Sequence, residues 1–237
     1  MRQGFQDQAL EWAAWARTPN HDSYWRYRDA FFSLLPEPGR RTLELGCGEG
    51  RVSRDLHARG HRTVGIDVSE TLVALAREAD PDGEYVVADA AALPFEAGAF
   101  DLVVAYNTLM VVDDLAATVA EAARVLEPGG RLCASTAHPL SDAGRGRFEG
   151  DEPDAPFVVA GSYFGTHWVD ETEEKDGLRM RFTGWSFPLE TLARALEDAG
   201  FLLEAIREPR PPAGEPGPRY ERWRRIPLWL HLRALKP

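Results

Sequence analysis

Three glycines separated by single residues, Gly46, Gly48 and Gly50, close the apolar run Thr42-Leu43-Glu44-Leu45. A helical pattern begins at once with Arg51-Val52-Ser53-Arg54-Asp55-Leu56. A strand, a tight turn and a helix start in that order form the place where α/β proteins hold nucleotide-like ligands. The open N–H groups of a helix N-terminus favour polar and anionic ligand atoms there. Each missing Cβ brings backbone N–H groups within reach of a ligand and tolerates positive φ. A dinucleotide site asks for Gly-x-Gly-x-x-Gly. Gly46 and Gly48 fit, but the next required position holds Arg51, and the third glycine stands one residue early at Gly50. Two acidic residues, Asp67 and Asp89, end later apolar runs, and His138 follows another. The six histidines and two cysteines show no metal-ligand spacing, so no metal site is expected.

Holding these groups together requires strands that alternate with helices. The pattern predicts strands over 41–46, 62–67, 84–89, 100–106 and 131–136, with helices over 49–58, 70–79 and 113–126. Ser69 is placed to cap the second helix. The run Glu127-Pro128-Gly129-Gly130 is expected to stop the third. Phe100 to Tyr106 is nearly continuous in apolar residues, as in a strand covered on both faces. Units of this kind with short links imply an α/β fold, a doubly wound and mostly parallel sheet. Residues 5–35 read as two helices divided by Pro19 and rich in aromatics. After His138 the texture changes. Residues 141–156 read as an acidic loop, and Val158–Thr172 and Leu178–Phe187 read as two strands. Between them Glu173-Glu174-Lys175-Asp176-Gly177 carries the Asp-Gly hairpin signal. A helix over 189–199 ending at Gly200, a strand over 201–207, a Pro-rich loop over 209–218 and a last strand over 226–235 bring the sheet to seven strands. The expected organisation is one domain over 1–237: a helical cap (1–38), a ligand-binding core (39–137), an inserted hairpin lid (138–187) and the completion of the sheet (188–237).

Composition bounds the partners. The net charge of −11 argues against a polyanion, because phosphate contacts need basic residues, so no nucleic acid is expected. The local basic stretch Arg219, Arg222, Arg224, Arg225, Arg233 and Lys236 reads as a solvated loop leading into the last strand. No run approaches the ~20 apolar residues that span a bilayer. The segment Met1-Arg2-Gln3-Gly4-Phe5-Gln6-Asp7 is too polar for a signal peptide. With only Cys47 and Cys133 there is no disulfide framework, and a cytoplasmic location is the expectation. Monomer and homodimer both remain open.

The spacing Glu44-x-Gly46-x-Gly48-x-Gly50 resembles motif I of the class I S-adenosylmethionine-dependent methyltransferases, and other positions agree with it. Asp67 closes strand two, where an acidic side chain can accept both ribose hydroxyls. Asp89-Ala90 closes strand three, where that family contacts the adenine amine. Ala123-Arg124-Val125-Leu126-Glu127-Pro128-Gly129-Gly130 is similar to the family's signature before strand five. The resemblance spans Arg41 to Thr136 most strongly and the sheet's end from Leu189 onward more weakly, and it looks closest to the small-molecule branch. It implies a Rossmann-like methyltransferase fold with an antiparallel last strand. It also implies S-adenosylmethionine as cofactor, with S-adenosylhomocysteine as product. The residues it assigns to the cofactor are Glu44, Gly46, Cys47, Gly48, Asp67, Val68, Asp89, Ala90 and Tyr106. Glu44 is expected to orient the glycine loop or reach the cofactor's amino group. Cys47 is expected to contribute backbone.

Methyl transfer from a sulfonium asks the protein mainly to align an acceptor atom and exclude water. The acceptor pocket should lie outside the carboxyl ends of the strands. Its candidate lining is Tyr24 and Trp25 from the cap, Tyr106, Asn107 and Met110 after strand four, and Tyr163, Phe164, His167, Trp168 and Trp185 from the insertion. Core packing is the competing use of these aromatics. His138, at the exit of strand five and followed by Pro139, is the candidate general base for a hydroxyl acceptor, with His167 second. Glu149, Asp151, Glu152 and Asp154 read as a solvated lid loop that could also steer a cationic substrate. Three functions fit: a metal-independent transferase acting on O, N or C of a small molecule, a protein- or RNA-modifying transferase, and a cofactor-binding protein without transfer.

Overall fold

The computed structural model describes residues 6–142, 146–212 and 221–237. The first residues of the expected cap, most of the Pro-rich loop and Arg219 lie outside the described residues. Two helices come first, α1 (Ala9–Arg17) and α2 (Tyr24–Phe32). The alternating core follows: β1 (Thr42–Leu45), α3 (Arg51–Ala58), β2 (Thr63–Asp67), α4 (Glu70–Ala79), β3 (Glu84–Val87), β4 (Phe100–Tyr106), α5 (Leu115–Val125) and β5 (Leu126–Ala137). Next come a single turn α6 (Pro139–Asp142), a short ribbon β6 (Arg147–Phe148) with β7 (Phe157–Val158), and a hairpin β8 (His167–Lys175) with β9 (Leu178–Ser186). The chain ends with α7 (Leu189–Asp198), β10 (Leu202–Arg207) and β11 (Trp229–Leu235).

Seven strands form one sheet in the order β10-β11-β5-β4-β1-β2-β3. β3, β2, β1, β4 and β5 run parallel, and β11 inserts antiparallel between β5 and β10. Successive side chains of a strand face opposite sides, so each strand feeds two cores. Leu43, Leu45, Val103, Ala105, Leu132, Ala134, Leu230 and Leu232 meet α5 and α7 on one face. Leu102, Val104, Tyr106 and Cys133 meet Phe31 and Phe32 of the cap and Val52 and Leu56 of α3 on the other. A fully buried leucine such as Leu56 contributes about 1.5–3 kcal/mol through burial alone. Among the described residues no helix is long and apolar enough to cross a membrane.

Local chemistry explains most element ends. Ser69 caps α4 by accepting the Leu72 N–H, and Asp114 caps α5 by accepting the Ala117 N–H. Gly200, at φ +80°, closes α7 as a left-handed C′ residue. Three stretches differ from the sequence pattern. The helix does end just before the Pro-Gly-Gly run, at Val125, but the run itself lies inside β5, which starts at Leu126. The end of β11 holds it there, through Gly129 N–H to the Lys236 carbonyl and Lys236 N–H to the Gly130 carbonyl. Strand three stops at Val87, and Asp89 makes an isolated bridge to Ala92. Val158–Thr172 is not one strand: Phe157–Val158 pairs with Arg147–Phe148, whereas His167–Lys175 pairs with Leu178–Ser186. The hairpin turn needs only Asp176 (φ +51°) and Gly177 (φ +78°), so Glu173, Glu174 and Lys175 continue the ladder.

Candidate functional site

The glycine loop leaves the carboxyl end of β1 at the centre of the parallel strands, with β4 on one side and β2 on the other. Gly46, Gly48 and Gly50 all lie at positive φ, +68°, +55° and +86°, a region costly for any residue with a Cβ. Gly46 also lies against a neighbour. A Cβ there would meet Oγ1 and Cγ2 of Thr108 at 2.7 Å, and that hydroxyl donates to the Leu45 carbonyl at 2.6 Å. Gly50 precedes α3 without any side-chain cap. Thus α3 begins with uncapped N–H groups beside the loop.

Asp67 ends β2 beside this turn and ties it down. Its Oδ2 accepts the Gly48 N–H at 2.9 Å and its Oδ1 accepts the Ser69 N–H at 2.9 Å. A carboxylate oxygen has two lone pairs, so each oxygen keeps capacity for a ligand hydroxyl. Burial raises the Asp67 pKa, while its backbone N–H donors work to lower it. Glu44, one turn of chain earlier, is buried within β1 and receives the Ser53 hydroxyl from α3. Burial pushes its pKa up to about 8, with Asp67 and Glu49 adding repulsion. Glu44 therefore braces β1 against α3 behind the loop. Cys47 contributes its backbone N–H to the Ile66 carbonyl at 2.8 Å, and burial pushes its thiol pKa well up. Glu49 is buried and clamped by Arg17 at 3.0 Å and by Arg54 at 2.9 Å.

At the neighbouring strand ends, Val68 is half-buried next to Asp67, and Ala90 packs on the larger core. Asp89 is exposed, with its Oδ1 accepting the Ala91 N–H at 2.9 Å in a tight local turn. Asn107 leaves β4 at φ +58°, an uncommon conformation for a residue with a side chain. Its N–H binds the Ser135 carbonyl at 2.8 Å and its Oδ1 accepts the Ser135 hydroxyl at 2.7 Å. Tyr106 is a correction to the sequence reading. Its ring is sealed among Tyr24, Phe31 and His231 under α2, so its side chain is core rather than a cofactor wall. Tyr24 is likewise buried, held by Asp55 at 2.5 Å and packed edge-on against Tyr106 at the end of β4.

His138 does leave β5 where expected, but both ring nitrogens are engaged. Nδ1 accepts the Leu140 N–H at 3.0 Å, which puts the proton on Nε2, and Nε2 donates to Glu208 at 2.9 Å. Burial lowers the His138 pKa, and Glu208 partly offsets that. No lone pair is left to take a proton, so the arrangement anchors the strand exit instead of serving as a base. His167 differs: its Nε2 donates to the Ser162 carbonyl at 3.1 Å, which leaves the lone pair on Nδ1.

The insertion and the cap meet above the loop. Phe182 of β9 stands edge-on to Trp12 and Trp15 of α1, with centroids 6.5 and 5.5 Å apart. Trp185 donates its backbone N–H to the Met110 carbonyl at 2.7 Å, and Met110 Sδ lies 3.4 Å from the Ala137 N–H. Trp168 stacks edge-on against Trp185 across the hairpin at 4.9 Å. These contacts bring Met110, Trp168 and Trp185 to the β4–β5 ends. Tyr163 does something else: its hydroxyl accepts the Leu189 N–H at 3.0 Å and caps α7. Phe164 is 76% exposed and lines nothing enclosed. Two residues at the site carried no sequence signal of their own. The Trp12 indole nitrogen stands 3.0 Å from where a Cβ of Gly48 would be, and Thr108 fills the space over Gly46. Trp12 looked like one more cap aromatic. Thr108 could have been found from its place two residues beyond β4. Among the described residues no group of three or more histidine, cysteine or carboxylate side chains is arranged to hold a metal.

Comparison with known proteins agrees with this geometry. Residues 43–134 match the sequence profile of the methyltransferase domain. Over 111 residues the chain is 40% identical to a demethylmenaquinone methyltransferase of Beutenbergia cavernae, a match covering 47% of this chain and 46% of that protein. Over 103 residues it is 38% identical to a ubiquinone biosynthesis O-methyltransferase of Aromatoleum aromaticum, covering 41% and 44%. The matched segment thus spans a little under half the length of these relatives. Among solved structures, an S-adenosylmethionine-dependent methyltransferase from Mesorhizobium loti superposes with a TM-score of 0.72 at 28% identity, covering 90% of this chain and 98% of that one.

Proposed function

We propose that this chain, whose residues 43–134 belong to the methyltransferase domain family, binds S-adenosylmethionine at the glycine loop and directs its methyl group to an O, N or C atom of a small molecule. One observation carries the reading. Asp67 holds both the glycine loop and the start of α4 through its two oxygens, while each oxygen keeps a lone pair for a ribose hydroxyl. The residues fit the cofactor in other ways. The left-handed glycines keep the loop free of Cβ atoms, and Val68, Asp89 and Ala90 flank the next two strand ends, where an adenine would sit. When bound, the cofactor supplies a sulfonium-activated methyl group, which needs no metal for its displacement.

The protein's share is positioning and exclusion of water. Asp67 and the glycine loop fix the donor end. Asn107 and Met110 stand at the β4 end on the acceptor side, each held by a bond to β5. Trp12, Phe182 and Trp185 close the approach from above. A small acceptor is supported by the activities named for the relatives, and the net charge of −11 disfavours an RNA substrate.

The test is calorimetric titration of S-adenosylhomocysteine into the wild type and Asp67→Ala. Binding by the wild type and at least a hundredfold weaker binding by the variant, with an unchanged circular dichroism spectrum, is the expected result. Equal affinity in a folded variant would remove the site assignment.

A further inference from the structure

A half-open cleft of about 170 Å³ lies where the C-terminus of α1, the start of α2 and the outer face of α3 meet. Its lining holds four arginines, Arg17, Arg28, Arg51 and Arg54, against two carboxylates, Glu49 and Asp55. Two more carboxylates pair with these arginines from outside the lining, Asp22 with Arg51 and Asp29 with Arg28 at 3.8 Å, so the guanidinium groups are fixed in direction while their charge is balanced. The carboxylates act as anchors. Glu49 holds Arg17 and Arg54, Asp55 holds Arg28 at 3.3 Å, and Asp22 holds Arg51 at 2.7 Å. The Arg17 and Arg51 side chains also reach backbone carbonyls, of Leu75 and Ala16. Among the described residues these bonds leave Nη1 of Arg17, Nη2 of Arg28 and Nη2 of Arg51 without a partner. The walls are aromatic and add their own orientation. Arg51 lies over the Tyr24 ring at 4.3 Å and Arg28 over the Trp25 ring at 4.7 Å, while the buried Trp25 indole N–H has no hydrogen-bond partner.

We propose that this cleft binds a phosphate group, separately from the cofactor. Guanidinium donors arriving from three helices approach from different directions. That suits a tetrahedral oxyanion better than a planar carboxylate. The cleft shares only Glu49 with the glycine loop, and that side chain is consumed by two arginines; Gly46, Gly48 and Asp67 are not part of the lining. The site does not depend on the methyl-transfer reading.

The experiment is thermal unfolding of the full chain with inorganic phosphate titrated in at fixed ionic strength, balanced with sodium chloride. The wild type should gain Tm saturably. Arg28→Gln, which removes a partly exposed arginine, should weaken the apparent affinity at least tenfold. Trp25→Phe should weaken it severalfold and serves if Arg28→Gln lowers the starting Tm too far. Saturating S-adenosylhomocysteine should leave the phosphate affinity unchanged. Phenyl phosphate binding more tightly than the free ion would identify a phosphate ester as the ligand, and weaker binding the free anion. An equal rise with sodium chloride alone, equal affinity in both variants, equal affinity for malonate, or loss of the effect with S-adenosylhomocysteine would each overturn the proposal. The last of these would assign the cleft to the cofactor.

Discussion

Replacing Glu44 by glutamine should flatten part of the pH dependence of stability. Glu44 is about 1% exposed, receives the Ser53 hydroxyl and faces Asp67 and Glu49 at short range. Its pKa rises from 4.5 to about 8 in the fold. The native state therefore keeps a proton that the unfolded chain releases near pH 4.5. With more protons bound in the native state, unfolding free energy falls as pH rises, by about 1.4 kcal/mol per unit between those values. This stabilisation is fully present below pH 4.5 and lost by about pH 8. Between pH 5 and pH 7 the loss amounts to about 2–3 kcal/mol. Glutamine keeps the shape and a partner for Ser53 but has no proton to lose. The difference in unfolding free energy, wild type minus Glu44→Gln, should thus decline by that amount from pH 5 to pH 7. Titrating groups that do not interact with Glu44, such as His231 with its lowered pKa, are common to both proteins and cancel. Urea unfolding followed by tryptophan fluorescence at four pH values measures it. A difference independent of pH would mean that Glu44 is already ionised in the fold, and the account of β1 braced on a neutral carboxyl would fail.

Two further substitutions probe the same region. Gly46→Ala should lose at least about 2 kcal/mol, from the left-handed φ and the encounter with Thr108 at 2.7 Å. The double variant with Thr108→Ala should recover the steric part but not the backbone part, and strict additivity in urea unfolding would contradict the close approach. His138→Gln should leave the pH profile of S-adenosylmethionine-dependent turnover in place, because both imidazole nitrogens are already bonded. Loss of a turnover limb near neutral pH would restore the histidine as a base.

Much of the glycine turn and its surroundings was legible because its determinants are local. Glycine at 46, 48 and 50 is demanded by backbone conformation, and Asp67 needs only to end the next strand. Ser69 as a cap, β4 as a doubly covered strand and Gly200 as a helix stop depend on a few neighbouring residues. The acceptor side was less legible. Tyr24, Tyr106 and Trp168 are all aromatics in a chain of letters, yet the first two pack against each other between α2 and β4 while the third lies 44% exposed on the hairpin. His138 looked free because Glu208, seventy residues away in sequence, is not adjacent until β10 is in place.

The sequence alone therefore determined the alternation of strands and helices in the core, the left-handed glycine turn and the acidic residue that steadies it. Each follows from residue type and short-range geometry. Only the tertiary structure decided which aromatics face a ligand, which histidine keeps a lone pair and where four arginines converge in an acidic protein. Those outcomes depend on contacts between segments far apart in the chain, such as α1 with β9 and α2 with α3, and no local spacing encodes them.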